Sequence, residues 1–424
     1  MGLNLDYRKM RWVIVAWLTV STILNLIDRQ TLSVLAPVLR DKLHLSVRDY
    51  SNIVSAFLCS YTVMYAVGGR IVDRIGERIG MAACIIWWSV CTMLTSLAQG
   101  ALSLGAIRFL LGIGEPANYP AALRACTRWF PKHERGMPVA IFSSGSSVGN
   151  VLAPPMIAAL TLRFGLRSAF IVPGALGLLW VIGWLWMYRL PEEHPRISPA
   201  ELHALGEGSG KVSGTLGWVD LLKNRNVMAL VLARFVSDPV WYFYVFYIPD
   251  YLKAERGFSL KDIGMFAWIP FVAGTLGGLL GGGISDRLIK QGWPSARART
   301  RVLYVSALFA PLGMLTAKAH SAALAIALIA VVAFVVYSWF INTAAVIPDL
   351  FPEKVVGSVL GLMGMAGSGA GILFAQLVGF LLTRYSYAIV FVMAGSMHVL
   401  AAFLLWLLLA PERDSRAVEF VEAG

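Results

Sequence analysis

The chain has 424 residues, 58% hydrophobic and 14% charged, with a net charge of +12 and a mean hydropathy of +0.68. A soluble domain carries roughly 25% charged residues, so this composition excludes a soluble globular protein and places apolar surface against lipid. The basic residues lie in short loops between apolar runs, which excludes a nucleic-acid partner as the reason for the positive charge.

Apolar runs of about 20 residues cover the hydrocarbon core of a bilayer. The chain reads as twelve such spans, at 11–38, 47–69, 79–98, 101–123, 137–161, 168–188, 227–252, 260–285, 301–317, 321–347, 355–382 and 387–410. The expected fold class is an all-α membrane protein. Arg8, Lys9 and Arg11 precede the first run in the manner of a signal peptide, but the run is too long and Asp28-Arg29 interrupts it. It is read as an uncleaved first span. Of the 36 Lys and Arg residues, 23 fall on one side of these spans, 10 on the other, and Arg29, Arg108 and Arg234 lie inside them. The side with the excess is the cytoplasmic one, so a multi-pass protein of the inner (plasma) membrane with both termini inside is expected.

The chain repeats itself. Gly69, Asp73, Arg74, Gly76 and Arg78 follow the second span, and Gly282, Asp286 and Arg287 follow the eighth, with the aspartates 213 residues apart. Phe130-Pro131 before span five matches Phe351-Pro352 before span eleven, and Pro37 matches Pro249. These pairs in order predict two pseudo-symmetric six-helix bundles, 1–188 and 227–424, joined by a polar cytoplasmic connector at 189–226. Two like-oriented halves imply a substrate site near the midplane, reached alternately from each side.

Asp28 and Glu115 sit deep in spans one and four. A charge at bilayer depth costs a few kcal/mol even on the lenient insertion scale, and it persists where it faces a bundle interior or a water-filled cavity. Desolvation favours the neutral acid and a nearby arginine the ionised one, so Asp28 and Glu115 are the candidate proton carriers. Arg108, two helical turns before Glu115, is placed to tune it. A static buried ion-pair network holding helices one and four is the competing reading. Arg29 is the first choice for a substrate carboxylate, because a guanidinium offers a permanently charged planar fork. Its alternative role is to neutralise Asp28, although adjacent helical residues point about 100° apart.

Three motifs carry a resemblance that covers nearly the whole chain. The loop with Gly69, Asp73, Arg74, Gly76 and Arg78 resembles that of the major facilitator superfamily. The run from Arg108 through Gly112, Gly114, Glu115, Asn118, Tyr119 and Pro120 resembles the fourth helix of its anion:cation symporter family, and Asn25 to Arg29 the first. Arg234, Asp238, Pro239 and Trp241 to Tyr244, followed by Gly264 to Pro270, are similar to the hexuronate transporter branch. Leu26 stands where sugar-acid transporters often have a tyrosine, and Arg234 where aldonate carriers have an amide.

The resemblance implies a conformational latch at Gly69, Asp73, Arg74 and Arg78, and a substrate tyrosine at Tyr61. Asn150, Asn342, Ser368 and Gln376 are sugar-hydroxyl candidates at suitable depth, or else polar contacts between helices. Arg234 and Asp238 form an intrahelical pair, or Arg234 reaches the substrate. Trp241, Tyr242 and Tyr244 form an aromatic wall for a sugar ring, or face lipid. Glycines 145 and 149, and those at 357, 361, 364, 367 and 371, are read as close-packing sites. His398 reads as a packing residue, and the four cysteines lack metal-ligand spacing.

The expected function is proton-coupled symport of a sugar-acid anion, a hexuronate first, by alternating access. An aldonate, tartrate or aromatic-acid carrier is the alternative within the fold. A passive channel or membrane-embedded enzyme is the alternative outside it, and no nucleophile–base constellation supports an enzyme. No cofactor is expected beyond the coupling proton, no metal, and no partner beyond the organic anion and the lipid bilayer; monomer is the default.

Overall fold

A chain immersed in hydrocarbon must satisfy its backbone hydrogen bonds internally, and a helix does this within one segment. The computed structural model describes residues 7–131, 134–194, 197, 202, 205 and 218–409, and no strand occurs among them. Most of the connector 189–226 thus lies outside the described residues. The first helices are α1 (Tyr7–Val34), α2 (Ala36–Lys42), α3 (Val47–Ile75), α4 (Glu77–Thr95), α5 (Ala101–Gly114), α6 (Asn118–Trp129), α7 (Gly136–Phe164) and α8 (Ser168–Met187). Next come α9 (Trp218–Lys223), α10 (Arg225–Arg256), α11 (Leu260–Phe266), α12 (Ile269–Lys290) and α13 (Ser295–Ala307). The last are α14 (Ala322–Ala345), α15 (Ile347–Leu350), α16 (Glu353–Arg384) and α17 (Tyr387–Leu408).

Among the described residues, 10 helical stretches are long and apolar enough to cross a membrane. Helix α3 and the α5–α6 pair complete the twelve. Several expected spans are not continuous α-helix, the first breaking at Leu35 between α1 and α2 and the tenth at Val346 between α14 and α15. Residues 101–123 are divided by a 3₁₀ turn at Glu115–Ala117, where Pro116 removes a backbone donor. Residues 260–285 break between α11 and α12. The ninth span begins at Ser295 and finishes as a 3₁₀ segment, Ala310–Lys318.

Local chemistry sets the ends. Asn224 caps α10, accepting from the amides of Asn226 at 2.9 Å and Val227 at 3.2 Å, and Gly257 ends it with φ of 70°. Ser259 and Asp262 form a reciprocal capping box at α11. Gly76 turns the chain between α3 and α4 with φ of 80°, a left-handed conformation that suits glycine.

The chain forms two compact units. One contains Met1–Leu45, Ala56–Lys211 and Ser259–Trp268; the other contains Ser46–Ser55, Val212–Phe258 and Ile269–Gly424. Each unit therefore takes in a short stretch from the other half of the sequence. In the first unit, α1 and α7 approach so closely that side chains at Gly145 and Gly149 would meet the carbonyls of Thr19 and Ile23. Trp180, Trp184 and Tyr188 stack along α8, with centroids 5.1 and 4.2 Å apart. Helix α11 packs on α7, with Gly264 against Ala158.

In the second unit, Gly367 and Gly371 of α16 let that helix lie against Asp238 and the ring of Tyr242 on α10. Gly357 and Gly361 meet nothing within 4 Å, so close packing involves only part of the glycine row. The first turns of α3 belong here: Tyr50 donates to the Phe246 carbonyl at 2.7 Å, and Tyr247 to Ser51 at 2.9 Å. Arg256 closes the end of the 3₁₀ segment by donating to the carbonyls of Thr316, Ala317 and Ala319, at 2.8, 3.2 and 2.7 Å. The Tyr251 hydroxyl shares the Thr316 carbonyl with Arg256, donating at 3.0 Å.

Helices α12 and α14 touch backbone to backbone at Gly277, where a Cβ would run into the Phe334 carbonyl. Gly277→Ala should lower stability by about 1–3 kcal/mol through overpacking. Gly283→Ala, on the same helix with nothing within 4 Å, should be neutral. Thermal melting of the two purified variants in detergent checks the contrast; equal melting would refute it.

Candidate functional site

The site begins on α1, where Asn25 and Arg29 lie one turn apart on one face. It is completed from α5, because the break at Pro116 makes Glu115 the first residue of the 3₁₀ turn. Arg29 Nε donates to Glu115 Oε2 at 2.9 Å, and the carboxylate side chain is 0% exposed against 20% for the arginine. Arg29 Nη2 donates to the Tyr61 hydroxyl at 3.2 Å and to Asn25 Oδ1 at 3.5 Å. The guanidinium carbon lies 4.7 Å from the centroid of the Tyr61 ring and 5.9 Å from that of Phe57. Helices α1, α3 and α5 thus converge on one cation, held by a carboxylate, two neutral oxygens and an aromatic face.

Asp28 is adjacent to Arg29 in sequence, but the partner of Arg29 is Glu115, 86 residues away. The helical step separates the neighbours, so neutralisation of Asp28 is not the role the geometry gives Arg29. Asp28 is 0% exposed, and neither of its oxygens is hydrogen-bonded. Its charged neighbours are Glu115 and Arg108, and Arg108 is itself buried in α5 beside both acids. Glu115 Oε1 also lacks a hydrogen-bond partner. Two acids and two arginines therefore lie together, and three acid oxygens, both of Asp28 and Oε1 of Glu115, have no hydrogen bond.

The other candidates divide clearly. Asn150 is buried on α7 and accepts from Gln30 Nε2 at 3.0 Å, a contact that ties α7 to α1. In the second unit Arg234 Nε donates to Asp238 Oδ2 at 2.8 Å, and its guanidinium lies 4.5 Å from the Phe340 centroid. The intrahelical pair is thus formed, with the arginine side chain 18% exposed. Trp241 is enclosed edge-on by Phe271, Tyr337 and Phe340 at 5.1 to 6.2 Å. Tyr242 stacks on Phe246, and Tyr244 is buried. Asn342 and Ser368 are buried and bond to carbonyls of their own helices, those of Ser338 at 3.0 Å and Gly364 at 2.8 Å. Gln376 donates to Asn52 at 3.1 Å and Ser55 at 2.7 Å.

At the loop motif, Gly69 faces Pro120 and Arg74 is exposed. The side chain of Asp73 lies outside the described residues. Arg78 donates to the Leu185 carbonyl at 2.8 Å, while Trp184 donates to the Arg78 carbonyl at 3.0 Å, which joins α4 to α8. Sequence reasoning passed over Glu77. It is 1% exposed, pairs with Arg124 at 2.9 Å and Arg128 at 3.5 Å, and accepts from Tyr188 at 3.0 Å. Its signal was the basic α6 sequence opposite a lone acid, which only the packing of α4 on α6 brings together.

Ten apolar spanning stretches among the described residues, with α3 and the α5–α6 pair, define a multi-pass membrane protein with an ion pair inside the spans of each unit. Residues 18–375 match the model of the Major Facilitator Superfamily. The chain is 30% identical over 412 residues to the hexuronate transporter of Escherichia coli (strain K12), covering 94% of each. It is 34% identical over 279 residues to the galacturonate transporter of Dickeya chrysanthemi, covering 64% of this chain and 81% of that one. It is also 30% identical over 421 residues to a probable galactarate/D-glucarate transporter of E. coli K12, covering 93% and 94%. Among solved structures, an inward-facing, unoccupied bacterial homologue of the human lysosomal transporter Spinster aligns with a TM-score of 0.70 at 19% identity, covering 95% and 96%. The nucleoside transporter NupG aligns with a TM-score of 0.72 at 12% identity, covering 94% and 100%. The chain belongs to the Major Facilitator Superfamily, a family of transporters and not of enzymes.

Removing one partner of a buried pair leaves an uncompensated charge, whereas replacing both with apolar groups does not. Arg29→Met should therefore destabilise the protein by about 3 kcal/mol, and Arg29→Met with Glu115→Leu by clearly less. Melting curves of the single and double variants read the difference. A double variant as unstable as the single one would contradict it.

Proposed function

We propose that the protein is a proton-coupled symporter that imports a sugar-acid anion, a hexuronate first, by alternating access. The observation that carries this reading is the Arg29–Glu115 pair at 2.9 Å, with Asp28 buried and without a hydrogen-bonded oxygen beside it. Relatives named for hexuronate, galacturonate and galactarate/D-glucarate transport, two of them along nearly the whole chain, support the substrate class.

The coupling follows from competition for one guanidinium. With Glu115 ionised, its carboxylate occupies the Arg29 Nε edge. A proton on Glu115 cancels that attraction, and the substrate carboxylate takes its place on Arg29, where a charged and bidentate contact is strong. Anion binding and proton binding are then mutually reinforcing, which is the thermodynamic condition for symport. Asp28, with Arg108 as its charged neighbour, serves as a second protonatable group. One proton carried would make uptake of a monovalent anion electroneutral, and two would make it electrogenic. Tyr61 holds Arg29 in place and adds a hydroxyl at the site. Arg234, Trp241, Tyr242, Asn150, Asn342 and Ser368 act in this reading as supporting substrate contacts or helix packing. Gly69, Asp73, Arg74 and Arg78 act as the latch of the conformational change.

The basic excess on one side of the spans supports insertion in the inner membrane with both termini in the cytoplasm. The halves 1–188 and 227–424 are the rocking elements. Transport needs no cofactor and no second subunit.

The test is uptake of labelled galacturonate and glucuronate into proteoliposomes, with and without an inward proton gradient. Wild type should accumulate substrate only with the gradient, and its apparent affinity should rise as pH falls. Arg29→Ala should abolish both accumulation and counterflow. Glu115→Gln should keep counterflow, lose gradient-driven accumulation and lose the pH dependence of affinity. Asp28→Asn should lose accumulation. Accumulation by Glu115→Gln equal to wild type would refute the coupling role, and transport of only non-sugar organic anions would refute the substrate class.

A further inference from the structure

Helix α3 exposes two different sides. Cys59, Val63 and Val67 follow one another at four-residue steps, and Val63 and Val67 are 58% and 40% exposed. This apolar stripe suits lipid. Phe57, Tyr61 and Tyr65 follow at the same spacing on a different side, because two residues of helix turn about 200°. Their rings form a continuous ladder, with centroids 5.4 Å apart for Phe57–Tyr61 and 5.8 Å for Tyr61–Tyr65. Exposure grows along it. Phe57 is 3% exposed, Tyr61 is intermediate, and Tyr65 is 45% exposed.

The ladder starts at the anion site. Arg29 lies over Tyr61, 4.7 Å from its centroid, so the face of that ring is taken by the guanidinium. Tyr65 is the next ring, one turn farther on, and it is exposed on the side that carries Arg29 and not on the valine stripe. An exposed aromatic one turn beyond a cationic anchor is placed to take the apolar part of a molecule whose anionic group the anchor holds. In a ring-closed uronic acid the carboxylate is joined directly to the pyranose ring, whose C–H groups form a flat apolar face. In an open-chain sugar acid no such face exists, and more rotors must be fixed on binding.

We propose that Tyr65 is a further specificity-determining residue, a platform for the face of a pyranose ring whose carboxylate is held by Arg29, so that the site favours ring-closed uronic acids over open-chain sugar acids. This rests on the sugar-acid reading given above, in which Arg29 meets the carboxylate, Tyr61 adds a hydroxyl, and Trp241 and Tyr242 are supporting contacts or helix packing; it adds a contact for the ring on α3. Tyr65 supplies that contact through its face, so an aromatic ring without the hydroxyl retains the function and an aliphatic side chain does not.

The test uses purified protein in liposomes, with galacturonate and open-chain galactonate as competitors in counterflow. Wild type, Tyr65→Phe, Tyr65→Leu and Tyr65→Ala are compared, and melting curves establish which variants are folded. Tyr65→Leu keeps bulk on the helix if the alanine variant does not fold. Wild type should prefer galacturonate. The leucine and alanine variants should weaken galacturonate by about tenfold, with galactonate changed by less than about twofold, the size expected from losing one aromatic contact. Tyr65→Phe should behave as wild type for both. Equal weakening of both acids, no weakening of either, loss in Tyr65→Phe, or a wild-type preference for galactonate would each overturn the proposal while leaving sugar-acid transport standing. A wild type that binds neither acid would overturn the sugar-acid reading and this proposal with it.

Discussion

A single guanidinium organises the first unit. Arg29 of α1 reaches the only part of the fourth span that is not α-helical, at Glu115, and the hydroxyl and ring of Tyr61 on α3. An ionised carboxylate with no exposed surface costs several kcal/mol unless a cation and hydrogen bonds compensate it. The same compensation makes the pair sensitive to protons and to competing anions, because either one changes what Arg29 must neutralise. In the proposed symport, stability and transport chemistry therefore draw on one interaction. The break at Pro116 matters for this reason, since it sets the position from which the Glu115 carboxylate meets α1.

Elsewhere the helices associate without help from the hydrophobic effect, because lipid is as apolar as the side chains it would replace. The contacts accordingly combine close van der Waals packing of side chains with those of backbone and polar groups. Glycines let α7 lie on α1 and α14 on α12 with only a carbonyl between them. Arg256 and Tyr50 donate to main-chain carbonyls of other segments, and Gln30 and Asn150 pair inside the α1–α7 contact. Glu77 gathers Arg124, Arg128 and Tyr188 at one end of the first unit. In the second unit Arg299 joins Asp286 at 3.5 Å and Asp349 at 2.7 Å, a basic residue between acids where the first unit has an acid between arginines.

The hydropathy pattern determined the number of spans and the all-helical class, because lipid permits few alternatives to an apolar helix, and paired motifs at matching offsets revealed the repeat. It also marked Asp28, Arg29, Arg108 and Glu115, since a charge in an apolar run is conspicuous wherever it points. What it could not determine was partnership. Asp28 and Arg29 are neighbours in sequence, and the 3.6-residue turn of α1 sends them apart, leaving Arg29 to Glu115. Asn150 reads as a sugar-hydroxyl candidate or, in preference, a polar contact between helices, and the tertiary structure pairs it with Gln30. Glu77 draws no reading from the sequence, and only the packing of α4 on α6 brings it to Arg124 and Arg128. The stagger of helices against one another decided each of these cases, and it depends on side chains and backbone contacts from segments far apart in the chain, which no local pattern records.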